Sequence, residues 1–486
     1  MKPWRPDALS TVVCLAQFMV ILDISIVNVA LPSIQSSLHF SDSGLQWVVS
    51  AYTLSFAGFL VLGGRASDLL PRRRVFLVGT TLFSSASLAC ALASSQGLLI
   101  GARSLQGLGA ATISAAGLAI ITSSFADGTE RNRALALWAA MGGIGGSAGA
   151  LLGGILTQAF DWPAIFFLNV PVGIGVVIAG RRLIPELAAA DHERRFDLAG
   201  AVLISGGLTA LVFGIVRTDS LSWRSPGVLL PIAAGLAMLC LFALVEGRIA
   251  RDPLIPLDVF KLPQLRAANL IVALLFFAIF GMWYFIPLYL QKVQGDDVLL
   301  AGTSFLPMTM LVFAGSATAP KLVSRIGVRP TIMLGLTLTT SGFLVLATVS
   351  PTSAYEAAIL PGGMLAALGT GWTLVPATIV AVKGVPFQQN GLAAGVVNTS
   401  RLVGGSFGIA VLSTLASARA NNLLASGQGQ LEALTDGYKL AFLVAAGACA
   451  LGVLAAATLL RRAPDTESLK GANQRDHQPG PAAETR

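Results

Sequence analysis

Charge is what this chain lacks most. Charged residues make up 12% of its 486 positions, about half the roughly 25% of a soluble domain. Hydrophobic residues reach 54%, and mean hydropathy is +0.75. A water-soluble domain is thereby excluded. Histidine is almost absent: His39, His192 and His477 all fall outside the long apolar runs, which excludes a histidine proton relay in the membrane. The four cysteines, Cys14, Cys90, Cys240 and Cys449, lie far apart inside apolar segments. They fit no metal spacing and read as small apolar filler. No glycine-rich nucleotide loop ending in Lys-Ser/Thr occurs, so there is no ATP engine. No Asp/His cluster points to a membrane protease or metal enzyme, and no cofactor is called for. Acids inside the apolar runs are too few for a long carboxylate wire. The net charge of +8 does not point to nucleic acid, because the positive residues sit in short loops.

What is present is one apolar run of about 20 residues after another, each enough to cross a bilayer core. The sequence predicts fourteen helical spans, near 8–31, 44–65, 75–95, 97–120, 132–157, 162–183, 197–217, 226–247, 266–290, 298–320, 330–350, 355–381, 391–416 and 439–461. Helices are expected because backbone groups in lipid must be satisfied within the segment. The first apolar run is too long for a signal peptide and contains Asp23, so it reads as a retained helix. The loop Gly63–Arg74 (G-G-R-A-S-D-L-L-P-R-R-R) is dense in arginine, and such short loops stay cytoplasmic. With both termini inside, 25 of the 32 Lys/Arg fall in cytoplasmic segments. Adding or dropping one span in the first half would ruin that bias, which supports an even count.

The chain also repeats. G-R-A-S-D-L-L-P-R-R-R-V-F-L-V-G, ending at Gly79, matches P-K-L-V-S-R-I-G-V-R-P-T-I-M-L-G, ending at Gly335, with Pro71 and Gly327 as turn residues. Gly107-Leu108-Gly109 echoes Gly369-Thr370-Gly371 more weakly. Two six-helix halves in the same orientation follow, 8–183 and 266–461. A linker, 184–265, carries two extra spans, and a disordered cytoplasmic tail covers 462–486. Paired repeats around a midplane site are the architecture of alternating-access transporters.

Few polar residues inside the spans can carry chemistry. Asp23 lies in span one, where a carboxylate costs about 2.5–3.5 kcal/mol unless paired or hydrated. It reads either as a proton-titrating group or as a structural ion pair. Arg103, in span four, lies at a similar depth and could pair with it. A guanidinium stays protonated and would act on a neighbouring acid. Gln106, one turn on, could bond either partner. Asn28 reads as a bridge between helices or a cavity residue. In span five, Gly145, Gly149 and Gly153 form one stripe, and Gly142, Gly146, Ala150 and Gly154 a second; small residues so spaced let helices approach closely. They serve tight packing or a sliding contact between halves. Gly64, Arg65, Asp68, Arg72 and Arg73 form a topogenic signal or a cytoplasmic ion-pair latch. Arg401, mid-span, faces a cavity or caps a neighbouring helix. Trp47, Tyr52, Trp283, Tyr284 and Trp372 are interfacial or pocket aromatics, and Glu246, Asp197 and Glu356 sit at span ends.

These strings resemble the major facilitator superfamily, and within it the fourteen-span drug:H+ antiporter family, over nearly the whole chain. L-D-I-S-I-V-N-V-A-L-P resembles that family's first-span signature. G-R-A-S-D-L-L-P-R-R-R resembles the superfamily loop motif. R-S-L-Q-G-L-G-A-A is similar to the fourth-span motif, and G-S-A-G-A-L-L-G-G to the antiporter motif. D-W-P-A-I-F-F-L-N-V-P-V-G also fits. Pro71, Ala66 and Ala150 depart from residues usual in the loop and antiporter motifs, and Asp161-Trp162-Pro163 from the usual opening of span six. The resemblance implies the all-helical major facilitator fold, a cell-membrane location, and proton-driven export of small lipophilic or amphipathic molecules. Proton coupling would fall to Asp23 and Arg103, and a monomer is favoured. An uptake symporter or facilitator on the same fold, or a non-transporting sensor, would be the alternatives.

Overall fold

The computed structural model describes residues 6–125, 129–186, 198–219, 221–249, 262–382 and 390–460. All regular elements among them are helical. In chain order they are α1 (Pro6–Leu38), α2 (Asp42–Leu45), α3 (Trp47–Leu69), α4 (Arg72–Ala91), α5 (Gln96–Ser124), α6 (Thr129–Phe160), α7 (Pro163–Phe167), α8 (Asn169–Leu183) and α9 (Leu198–Val216). There follow α10 (Pro226–Leu244), α11 (Pro263–Lys292), α12 (Val298–Thr303), α13 (Leu306–Ile326), α14 (Val328–Leu346), α15 (Ile359–Val382), α16 (Asn390–Ala425) and α17 (Gln430–Leu459). Among the described residues, eleven helical stretches are long and apolar enough to cross a membrane; Ile144–Phe160 and Val202–Val216 are shorter apolar helices. The tail after Arg462, Asp197 and the side chains of Arg65 and Asp68 lie outside what is described.

Local chemistry sets the boundaries. Ser41, Ser95, Ser225 and Asp297 each accept a backbone N–H at the start of α2, α5, α10 and α12, which satisfies an otherwise orphaned donor. Proline opens α10 and α11, where its missing N–H costs nothing. The repeat turns differ in kind. Gly327 links α13 to α14 at φ 87°, a conformation suited to glycine. Pro71 instead caps α4 at φ −53°.

The helices pack in two groups. In the first, α1 lies along α6, and α5 lies between α3 and α4; in the second, α15 lies between α13 and α14, and α11 against α16 and α17. The glycine echo has a structural basis. A side chain on Gly107 would strike the Tyr52 carbonyl of α3, and one on Gly109 the Phe83 backbone of α4. In the second group Gly369 meets α14 at the Gly335 carbonyl, and Gly371 meets α13 at Gly315. The packing role is shared, with the order of the two glycines reversed. The α9–α10 pair sits outside both groups, with α9 against α3 and α16. Large apolar side chains such as Val78, Leu230 and Met310 are exposed, as a lipid-facing surface requires. With no water to expel between helices in lipid, close backbone approach and buried hydrogen bonds hold them together.

Candidate functional site

The first group buries a polar cluster in its centre. α1 brings Asp23, α5 brings Arg103 and Gln106, α4 brings Ser87, and α8 brings Asn169 as its first residue. Asp23, Arg103, Gln106, Ser87 and Asn169 are all fully buried. Arg103 and Gln106 are three residues apart and so share one helix face. Arg103 Nη1 lies 2.5 Å from Asp23 Oδ2, and it also donates to Gln106 Oε1 at 2.7 Å. The other carboxylate oxygen, Oδ1, accepts from Gln106 Nε2 at 2.8 Å and from Asn169 Nδ2 at 2.9 Å. Ser87 Oγ accepts from both amides at 3.1 Å and donates to the Phe166 carbonyl at 2.9 Å.

Two further contacts hold the guanidinium. Its Nε donates to the Val48 carbonyl of α3 at 2.8 Å. Its carbon stands 4.3 Å from the Tyr52 ring centroid and 5.7 Å from that of Phe166, within cation–π range. Tyr52 in turn donates to the Val20 carbonyl of α1 at 3.2 Å. The charge that Asp23 brings into the membrane is therefore neutralised by Arg103 and its lone pairs are satisfied. Arginine does not deprotonate in proteins, so the titratable member of the pair is Asp23. Sequence reading brings Asp23, Arg103 and Gln106 to attention. It misses Ser87, Asn169 and Tyr52 as partners. Asn169 was visible as a polar residue in the span-six string F-F-L-N-V-P.

A cavity opens on the opposite side of α1. It is a shallow, partly open cleft lined by Ser25, Asn28, Val29, Gly146, Ala150, Trp283, Pro287, Phe305 and Thr309. Its walls come from both groups: α1 and α6 on one side, α11 and α13 on the other. Ser25 and Asn28 lie about 140–200° around α1 from Asp23 at 3.6 residues per turn. The acid and the cavity thus stand back to back on one helix. Among the described residues Asn28 bonds within its own helix, its amide donating to the Ile24 carbonyl at 3.1 Å, and the residue lines the cavity. Trp283 is a cavity aromatic. Trp372 donates to Thr318 Oγ1 of α13 at 2.9 Å, Trp47 packs on Phe213, and Tyr284 reaches the Asp42 carbonyl at 3.5 Å.

The two glycine stripes of α6 divide their work. A side chain on Gly145 would meet Ile21, one on Gly149 would meet Ser25 Cβ at 2.7 Å, and one on Gly153 the Ile26 carbonyl at 2.7 Å. That stripe lies against α1. The second faces the other group: Gly146 and Ala150 line the cavity, and Gly154 stands against Val298 and Leu299 of α12. The Ala150 carbonyl abuts Gly302 of α12 at 2.5 Å from where a side chain would begin. Ser25 Oγ ties the α1 face to α6 by donating to the Gly146 carbonyl at 2.7 Å.

At the far end of the seam from the arginine loop, Lys292 pairs with Asp42 at 2.7 Å. Gln291 donates to the Val29 carbonyl at 2.9 Å. Burial pushes the Asp42 carboxyl up, but the Lys292 ammonium and the hydrogen bonds from Lys292 and Gln35 outweigh it and hold it below the usual carboxylate value. In the arginine loop, Arg73 and Arg74 both pair with Glu186 beyond α8, at 2.8 and 2.9 Å. Arg72 Nε is buried without a hydrogen-bond partner among the described residues. Gly64 has open space where a side chain would begin. Arg401, on α16, lies with its guanidinium carbon 5.5 Å from the Phe276 ring centroid.

Residues 13–409 match the Major Facilitator Superfamily. The chain is 39% identical to the cephamycin export protein CmcT of Amycolatopsis lactamdurans over 83% of each chain. It is 37% identical to the puromycin resistance protein pur8 of Streptomyces alboniger, over 91% of this chain and 88% of that one. Among solved structures it resembles a bacterial homologue of the human lysosomal transporter Spinster in an inward-facing, unoccupied conformation. That likeness has a TM-score of 0.68 at 16% identity and covers 96% of this chain and 100% of the other. The POT family transporter PepTSo gives 0.67 at 13% identity, covering 95% and 100%. With helices long and apolar enough to cross a membrane many times, this multi-pass membrane protein belongs to the major facilitator superfamily.

Proposed function

We propose that this protein exports small lipophilic or amphipathic compounds across the cell membrane in exchange for protons, as a transporter and not an enzyme. The observation that carries the reading is the placement of Asp23 and the inter-group cavity on opposite faces of α1. A change in the Asp23–Arg103 pair on one face shifts the helix that walls the cavity on the other. Protonation of Asp23 cancels its attraction to Arg103 and loosens the link between α1 and α5. The same event is therefore felt by Ser25, Asn28 and Val29. Relatives named for antibiotic export and resistance support the outward direction.

In this reading the halves 8–183 and 266–461 rock about the seam, with 184–265 inserted between them as two of fourteen spans. Both termini are cytoplasmic, on the positive-inside argument. Asp23 releases its proton inward as substrate binds and takes one up when the cavity faces outward. The membrane voltage alone drives this with about 2.3 kcal/mol per charge per 100 mV. The seal formed by Ala150 and Gly154 against α12 limits leak.

The test is energised efflux of a dye and antibiotic panel from cells lacking their main pumps, with and without an uncoupler. Asp23→Asn at matched membrane expression is expected to abolish uphill efflux. Uphill efflux that survives both Asp23→Asn and the uncoupler would sink the proposal.

A further inference from the structure

Arg103 and Arg401 lie within membrane-spanning helices away from the arginines at helix ends, and the protein treats them oppositely. Arg103 has a carboxylate, a carbonyl and an aromatic face, although its Nη2 is buried with no hydrogen-bond partner among the described residues. Arg401 has only the aromatic face: it makes no ion pair among the described residues, and its Nε is buried with no hydrogen-bond partner there. The residue as a whole is half-buried. An intramembrane cation without a counter-charge is costly and marks a functional position.

Its location gives it a use. Phe276, beneath Arg401, begins a ladder on one face of α11. Phe276 packs edge-on against Phe280 with centroids 5.7 Å apart, and Phe280 stacks on Trp283 at 5.7 Å. Trp283 and Pro287 at the far end of the same stripe line the cavity. Seven residues separate Phe276 from Trp283, a rise of about 10 Å. Gly405, one turn beyond Arg401 on α16, has a side chain's space filled by the Phe280 ring, which holds α16 against the ladder. The ring that the guanidinium faces, Phe276, thus lies about 10 Å along α11 from Trp283, on the stripe that ends at the cavity.

We propose that Arg401 is the anion-recognising end of the substrate site, and that the exported compounds include amphipathic organic acids. Their apolar body occupies the cavity beside Trp283, and their carboxylate or sulfonate meets the guanidinium. This inference rests on the export reading above. Arginine suits the role because its planar fork matches an oxyanion and is less strongly hydrated than an ammonium.

The test uses two probes of one shape, anilinonaphthalene sulfonate and the neutral N-phenylnaphthylamine. Equilibrium binding to the full chain is measured in phosphatidylcholine nanodiscs, with empty discs subtracted. Wild type is expected to prefer the sulfonate, and Arg401→Gln to lower the sulfonate-to-neutral affinity ratio about tenfold, or about 1.4 kcal/mol. Arg401→Lys, keeping the charge, is expected to retain most of the ratio. A ratio unchanged in Arg401→Gln overturns the proposal, as does no sulfonate binding above empty discs, or an equal loss of both probes with a lowered unfolding temperature. Discs containing phosphatidylglycerol separate the sources of the anion. Sulfonate binding that persists there supports a soluble substrate, and its displacement by the lipid reassigns the site to a headgroup and overturns the substrate role. Uphill efflux of the neutral probe, measured in parallel with Asp23→Asn, isolates the export reading. If that efflux is absent while the ratio responds to Arg401, export falls alone; if efflux is intact and the ratio indifferent, the anion site falls alone.

Discussion

Asp23 and Arg103 stand 2.5 Å apart between α1 and α5, and Gln106 and Asn169 donate to the carboxylate oxygen that the guanidinium leaves open. Asn169 comes from α8, so a third helix votes on the state of the pair. A hydrogen bond to a charged group is worth about 1.5–3 kcal/mol. Asn169→Ala is expected to lower the rate of uphill efflux by about tenfold or more at unchanged membrane expression. Ser87→Ala, which removes contacts to the two amides and the Phe166 carbonyl but none to the carboxylate, should cost less. Efflux from Asn169→Ala equal to wild type would remove Asn169 from the coupling group.

Gly149 and Gly64 are both glycines of family-like motifs, yet their surroundings predict opposite outcomes. A side chain at Gly149 would come within 2.8 Å of the Leu22 carbonyl and 3.0 Å of the Ile26 nitrogen. Backbone atoms cannot turn aside, and overpacking costs about 1–3 kcal/mol. Gly149→Val is expected to reduce folded yield and lower the melting temperature in detergent. Gly64 has no atom within 4 Å of the added carbon, and alanine favours a helix over glycine by about 1 kcal/mol. Gly64→Ala should match or exceed wild type in melting temperature. The reverse ranking would show that the loop motif, not span five, holds the tightest packing.

Much of this was legible in the sequence because membrane chemistry leaves few choices. Apolar runs had to be helices, and arginine in short loops marked one end. Asp23 and Arg103 stood out because a charge in lipid needs a reason, and their matching depth suggested the pair. The repeat was legible as far as both copies keep a turn residue and a glycine. Other features depended on which way a helix face turns. The two span-five stripes differ by one residue in register, and only packing shows that one faces α1 and the other the seam. Asn28 and Asp23 share one short string, but the helix sends them to opposite sides. Ser87 and Asn169 looked like ordinary polar residues, since nothing along the chain signals that three helices converge on one carboxylate. Arg73 and Arg74 pair with Glu186, more than 110 positions away, beyond the reach of any local reading.

Gly154 tests whether the second stripe closes the seam. A side chain there would lie 2.9 Å from Leu299 Cα and from the Val298 carbonyl, atoms of the opposite group. Gly154→Val is expected to push α6 and α12 apart at that end without disturbing the α1 contact. Spin labels at Ser41→Cys and Asp297→Cys, with the native cysteines replaced, should report a longer distance than in the parent protein. An unchanged distance with normal folding would mean that the contact yields locally and does not gate.

Lys292 and Asp42 close the same end with charge. Asp42 is about half exposed and Lys292 less so, at 52% and 21%, so solvent screens the pair and it is worth about 0.2–1 kcal/mol. Lys292→Gln should shift the closed-to-open ratio by about 1.4- to fivefold toward open, read from the same spin-label distances, and 1 M salt should mimic part of the shift. The pH dependence follows from the lowered Asp42 pKa. A carboxyl depressed in the closed state stabilises that state fully above its open-state value, near about 3.9, and the contribution is lost as pH falls through the closed-state value. The ratio between wild type and Lys292→Gln is therefore expected to stay constant from pH 7 to pH 5 and to shrink only below about pH 4. Comparing the two proteins cancels any change that Asp23 itself contributes. If the difference between them already collapsed by pH 6, the clasp would be responding to a group other than Asp42.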